Sequence, residues 1–142
     1  MQPDRFATAR NWLGGARDDV TLALELSGRM PNVACFHAQQ AAEKALKAWL
    51  VALSGDVARE HLMQNLLSEL SGLGVDVNSA FREDALALGK FYVTTRYPDA
   101  LGGADPRTAF VTAEADEAAR RATRILDMAA AAIEREQAHE QG

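Results

Sequence analysis

PNVACFHAQQAAEKALKAWLVALS, residues 31–54, reads as one helix from end to end. Pro31 suits the first helical turn, where a missing N–H costs nothing and the fixed φ is already helical. Gly55 and Asp56 end the run. Phe36, Leu46, Leu50 and Leu53 give an apolar stripe with Trp49 beside it, and alanine fills most of the remainder. A helix this rich in alanine can approach its neighbours closely, so it belongs inside a bundle. Yet Gln39, Gln40, Glu43, Lys44 and Lys47 interrupt what is otherwise a buried helix.

Working outward, the same periodicity predicts helices on both sides. Phe6, Ala9, Leu13, Ala16, Val20, Ala23 and Ser27 recur at steps of three and four and form one face of a helix over about 3–27. Gly14 and Gly15 interrupt it, either as a bend or to let another backbone approach closely. Gly28 is a candidate for its C-terminal cap. Downstream, Leu62, Leu66, Leu70 and Leu73 mark a short helix over about 61–73. Asn78 or Ser79 caps a fourth helix, with Phe81, Leu88, Tyr92 and Thr95 on one face and Pro98 as its stop. A loop follows from Pro98 to Val111. The last helix begins after Thr112, with Ala115, Ala118, Ala122, Ile125, Ala129 and Ile133 or Ala132 facing inward. The expected architecture is all-α, an up-and-down bundle of four or five helices. Residues 1–137 form one domain, and residues 138–142 a frayed polar tail.

The chain has 142 residues, 48% of them hydrophobic and 25% charged, which suits one folded domain. Its formal charge of −5 gives no bulk attraction to nucleic acid, so any such binding needs a local basic patch. A single cysteine, Cys35, rules out an intrachain disulfide and a thiolate zinc site built from one chain. With no apolar run near the ~18 residues of a membrane span and no secretory leader pattern at MQPDRF, the expected location is the cytoplasm, away from membranes. Glu136-x-x-His139 has the spacing of a di-iron half-site, but a di-iron bundle repeats it and this chain does not. No metal or cofactor is expected.

Two groups of residues carry chemistry. Gln40, Glu43, Lys44 and Lys47 share a side of the second helix. A surface Glu43–Lys47 pair, worth about 0.2–0.5 kcal/mol, and a satisfied core amide at Gln40 explain them without function, and spacing alone favours that plainer reading. In Tyr92-Val-Thr-Thr-Arg-Tyr-Pro-Asp99, Tyr92 and Arg96 lie four apart on one face. Arg96 is a planar fork suited to phosphate. A cation at a helix C-terminus is also favourable by roughly 0.3–1 kcal/mol with no ligand at all, and spacing does not separate the two readings. Arg120, Arg121 and Arg124 form a further basic group, balanced by Asp116 and Glu117 four residues earlier.

Taken together, CFHAQQAAEKALK in the second helix and TRYPD after the fourth resemble the HEPN domain. WLGGARDDVTLA, with Trp12 and Asp19, resembles the first helix of that family. His61-Leu62 resembles the start of its short third helix. The resemblance spans about residues 5–133. It implies a compact helical bundle, usually a homodimer, associated with nucleotide or RNA binding. Many such proteins pair with a minimal nucleotidyltransferase in a toxin–antitoxin-like system. Carried over residue by residue, it points to Asp19, Gln40, Glu43, Lys44, Tyr92 and Arg96 as ligand-binding. Arg96 would take the phosphate and Lys44 add a second positive charge. Gln40 and Glu43 would orient a base or sugar, or anchor the arginine, and Asp19 would hold Lys44.

The sequence departs from the family at one point. Catalytic HEPN ribonucleases carry an arginine followed, after four to six residues, by a histidine. None of His37, His61 and His139 has an arginine at that distance upstream, and Leu101, Gly102 and Gly103 stand at the histidine places after Arg96. Whether the protein is an enzyme stays open on the sequence, and no catalytic residue is assigned. An RNA endonuclease would need another acid–base group, among Tyr92, Tyr97, Asp99 and His37. A purely structural dimerisation module is a third reading.

Overall fold

The structure, a computed structural model, describes residues 4–95 and 97–141, and of Pro98 the backbone only. Helix α1 runs over Arg5–Leu26, α2 over Pro31–Ser54, α3 over Met63–Gly72, α4 over Ser79–Gly89, α5 over Phe91–Thr94, α6 over Pro106–Ala109 and α7 over Thr112–Gln141. A 3₁₀ turn, Pro98–Leu101, lies between α5 and α6. No strand occurs among the described residues. The all-helical expectation holds, with the three long helices α1, α2 and α7 packed on one another and the α3–α4 pair closing the bundle against α2 and α7.

Helix α2 is the axis of the core, with fifteen of its 24 residues buried. Alanines at the contacts explain how. Ala9, Ala16 and Ala23 of α1, Ala38, Ala45 and Ala52 of α2, and Ala115, Ala122 and Ala129 of α7 are all fully inaccessible. They let the backbones approach while Leu46, Leu66, Leu67, Leu70, Phe81, Leu88 and Ile125 fill the space between. Trp49 stacks on Phe81 at 5.7 Å and ties α2 to α4.

Local chemistry sets the helix ends. Asp4 accepts from the Phe6 N–H at the start of α1, and Asn78 from the Phe81 N–H at the start of α4. Gly55 ends α2 with φ +82°, a backbone state that a side chain would strain. The expected Gly28 cap is not used: α1 closes through Ser27 in a right-handed conformation.

Four further expectations are corrected. The fourth helix does not run on to Pro98. It ends at Gly89, where a Cβ would meet Met63 Cγ at 3.1 Å, and a separate turn, α5, follows Lys90. In α3 the buried face is Met63, Leu66, Leu67 and Leu70. Leu62 and Leu73 flank the helix and are exposed. The connection from Pro98 to Val111 holds a 3₁₀ turn and α6. Asp105 caps α6, and buried Phe110 packs against Phe91. Finally, α7 continues through the expected tail to Gln141. Gln137 accepts from Arg10 and Glu140 pairs with Arg5. No helix is long and apolar enough to cross a membrane among the described residues.

Candidate functional site

The polar residues of α2 split between two neighbouring sets. In the first, Asp19 on α1 is buried between two partners from α2. His37 Nδ1 lies 2.8 Å from its Oδ1, and Lys44 Nζ 2.7 Å from its Oδ2. Lys44 thus places an opposite charge directly against Oδ2, on the other side of the carboxylate from His37. Gly15 makes room for this arrangement, since a Cβ there would stand 3.3 Å from Lys44 Cδ. What approaches Gly15 is the Lys44 side chain rather than the other backbone that the glycine pair suggested. Gly14 has open space around it. Lys44 keeps about a third of its side chain exposed. It lines a shallow cleft with Thr8, Asn11, Trp12 and Gly15.

The second set is deeper. Gln39, Glu43 and Lys47, four apart along α2, are all buried. Gln40 donates to Gln39 Oε1 at 2.7 Å, Gln39 donates to Glu43 Oε1 at 3.1 Å, and Lys47 Nζ lies 3.2 Å from Glu43 Oε2. The expected surface pair of Glu43 and Lys47 is thus an interior one, and the core amide is Gln39 rather than Gln40. Lys47 also lies 5.5 Å above the Trp12 ring. That cation–π contact suits a charge removed from water.

The open end of this set is His61. Its Nδ1 is 3.0 Å from Glu43 Oε2 and its ring stacks on Tyr92 at 6.0 Å and 18°. His61 is placed from both sides. Ahead of α3, Glu60 accepts from the Leu62 N–H, the His61 N–H and Asn65 Nδ2. These bonds, that of Leu62 first, hold the Glu60 carboxyl below the usual range. Behind it, α5 packs on α2 and brings Tyr92 alongside.

Of the six residues expected at the site, five are described. Asp19 and Lys44 pair directly. Gln40 reaches Glu43 through Gln39, and Glu43 reaches Tyr92 through His61. Trp12 borders both sets. Arg96, the expected phosphate ligand, lies outside the described residues. Sequence reasoning paired Glu43 with Lys47 but missed Gln39 and His61 as further partners of Glu43. The four-residue repeat Gln39–Glu43–Lys47 in an otherwise apolar helix was the available signal for the first of these. Nothing local in the sequence pairs His61 with Glu43, eighteen residues away.

A second ionic group joins α4 to α7. Arg121 Nη1, Arg124 Nε and Arg124 Nη2 each donate to Asp84 at 2.9 Å, and Glu117 sits beside them. The basic group of the last helix is thereby matched by acids, with buried Asp84 of α4 as its main partner. Among the described residues no group of three or more His, Cys, Asp or Glu could hold a metal ion.

With this geometry in hand, comparison defines the class. The HEPN domain family matches residues 9–136, and the chain belongs to it. Two solved structures are similar. One is the crystal structure of TT1696 from Thermus thermophilus, 40% identical over 90% of this chain and 97% of that one, with a TM-score of 0.78. The other is ST0689, described as an archaeal HEPN homologue, 30% identical over 88% of this chain and 97% of that one, with a TM-score of 0.70. No curated protein matches the chain at a significant level.

Proposed function

We propose that this HEPN protein binds the phosphate of a nucleotide or RNA at the strip along α2, as a cytoplasmic homodimer that partners a minimal nucleotidyltransferase in a toxin–antitoxin-like pair. The observation that carries the reading is a pair of carboxylate–lysine couples, Glu43–Lys47 within the most buried helix of the fold and Asp19–Lys44 joining α1 to that helix. A buried ion pair contributes little net stability, because desolvation offsets its Coulomb gain. One such buried pair, Glu43–Lys47, and one half-open pair, Asp19–Lys44, next to Trp12 and Tyr92 suit a ligand that has both charge and a ring. Lys44 is the cation within reach of solvent, and Arg96 follows on the chain from Tyr92.

The test is calorimetry and thermal melting with ATP, GTP and short RNAs, using Lys44→Ala and Arg96→Ala as controls. Binding that weakens in both variants is the expected result. Melting unchanged by every ligand, together with no nucleotidyltransferase recovered alongside the protein from cells, refutes the proposal. Light scattering tests the dimer separately.

One observation favours a second reading, an RNA endonuclease with a non-standard site. Asp19 holds His37 by Nδ1, the arrangement that orients an imidazole for proton transfer. Induced expression would then arrest growth and cleave RNA, and Arg96→Ala would abolish both. Harmless overexpression counts against it.

A further inference from the structure

His61 belongs to the strip by geometry, and the tautomer of its ring can be worked out. Its Nδ1 has two neighbours with opposite demands. Glu43 Oε2, at 3.0 Å, only accepts, so that contact needs a proton on Nδ1. Lys47 Nζ, at 3.5 Å, only donates, so that contact needs Nδ1 bare. The carboxylate contact is shorter and charge-assisted, and Lys47 already has Glu43 itself at 3.2 Å. The neutral ring therefore carries its hydrogen on Nδ1 and presents the Nε2 lone pair. Nε2 makes no hydrogen bond among the described residues, and over half of the side chain is open to solvent. The ring is nonetheless fixed, by Glu43 at one edge, by Tyr92 on its face and by Glu60 through its backbone.

A rigid, outward acceptor beside an aromatic face is what an N–H-bearing heterocycle needs. The acceptor takes a hydrogen bond from the edge of the base, and the rings supply stacking, as aromatic side chains do for bases in single-strand binders. We propose that His61 and Tyr92, positioned by Glu43, form the base-recognition part of the site, separate from the phosphate part at Lys44. This rests on the proposed nucleotide binding and adds to it the class of group recognised, a planar heterocycle donating to Nε2.

The test uses AMP, GMP, a short RNA and ribose 5-phosphate, which has the sugar phosphate but no base. His61→Ala and Tyr92→Leu are expected to weaken AMP or GMP at least tenfold while leaving ribose 5-phosphate unchanged, and Tyr92→Phe to retain binding. Binding of the RNA with the same losses, but of neither mononucleotide, assigns the subsite to a base within a strand. Ring ¹⁵N spectra of the wild-type protein should show His61 protonated on Nδ1, with its Nε2 signal moving when AMP, GMP or RNA is added. Ribose 5-phosphate should not move it.

Nucleotides that bind equally well to His61→Ala, with the Nε2 signal still, overturn the inference while the phosphate site stands. Equal losses for nucleotide and ribose 5-phosphate overturn it too, since His61 would then serve the phosphate or the fold. If the wild-type protein binds none of the four probes, the reading beneath it falls as well.

Discussion

Glu43 and Lys47 are each less than a tenth exposed, and each is the other's nearest opposite charge. Removing one strands the other. Glu43→Ala leaves the Lys47 ammonium buried without its carboxylate, and the expected loss is about 3–5 kcal/mol in denaturant unfolding. Replacing both, as Glu43→Leu with Lys47→Met, removes the desolvation cost of both ions and should restore most of that stability. If the double variant is no more stable than the single one, the pair is not behaving as a buried ion couple. Cys35 shows burial acting on a different group. Burial, with the charge of Glu114 adding to it, pushes its thiol up to about 12. With no accessible surface and little thiolate, Cys35 should react with a disulfide reagent only as fast as the chain unfolds. Rapid labelling under native conditions would show that the α2 end of the core opens locally.

Helix α1 contains two adjacent glycines with different surroundings. Gly14 faces open space, so Gly14→Ala should stabilise the protein by roughly 0.5–1 kcal/mol through helix propensity. Gly15→Ala brings the same propensity but puts a methyl against Lys44 Cδ. Its melting temperature should stay below that of Gly14→Ala. Equal gains would mean that Lys44 moves aside freely. Between α4 and α5 the constraint is tighter. Gly89→Ala would press on Met63, which is 2% exposed, and overpacking of this kind costs about 1–3 kcal/mol in thermal or chemical unfolding. Sequence periodicity runs straight through this point, because Phe81, Leu88, Tyr92 and Thr95 continue a helical register. The break at Lys90 falls beside the point where α3 comes closest to Gly89, an approach that the periodicity does not encode.

Across the molecule, the Asp84–Arg121–Arg124 group couples α4 to α7 and should shape the response to acid. The hydrogen bond from Arg124 foremost, then the charges of both arginines, hold the Asp84 carboxyl below the usual carboxylate range despite its burial. A carboxylate depressed in the folded state binds fewer protons there than in the unfolded chain. Stability therefore rises with pH through that window. The contribution is complete above the unfolded value of ~3.9 and disappears as pH falls through the lower folded one. Asp84→Asn should melt below the wild type at pH 7, and the gap should close as the pH drops below about 4. A gap that persists in strong acid would assign the loss to packing instead.

The order of helices, the buried faces of α1, α2 and α7 and the caps at Asn78 and Gly55 could be read from residue order alone. Helix periodicity and capping are local, set within a few residues on either side. The same locality showed that α2 carries an unusual polar set but not which of its members turn inward. That depends on the rotation of α2 against α1 and α7, and it buried Gln39 where the amide of Gln40 was expected. Three-dimensional packing alone brought His61 onto Glu43 and Asp84 onto the arginines of α7. Those partners lie eighteen to forty residues apart, and only the way the helices settle around a shared core decides which charges meet.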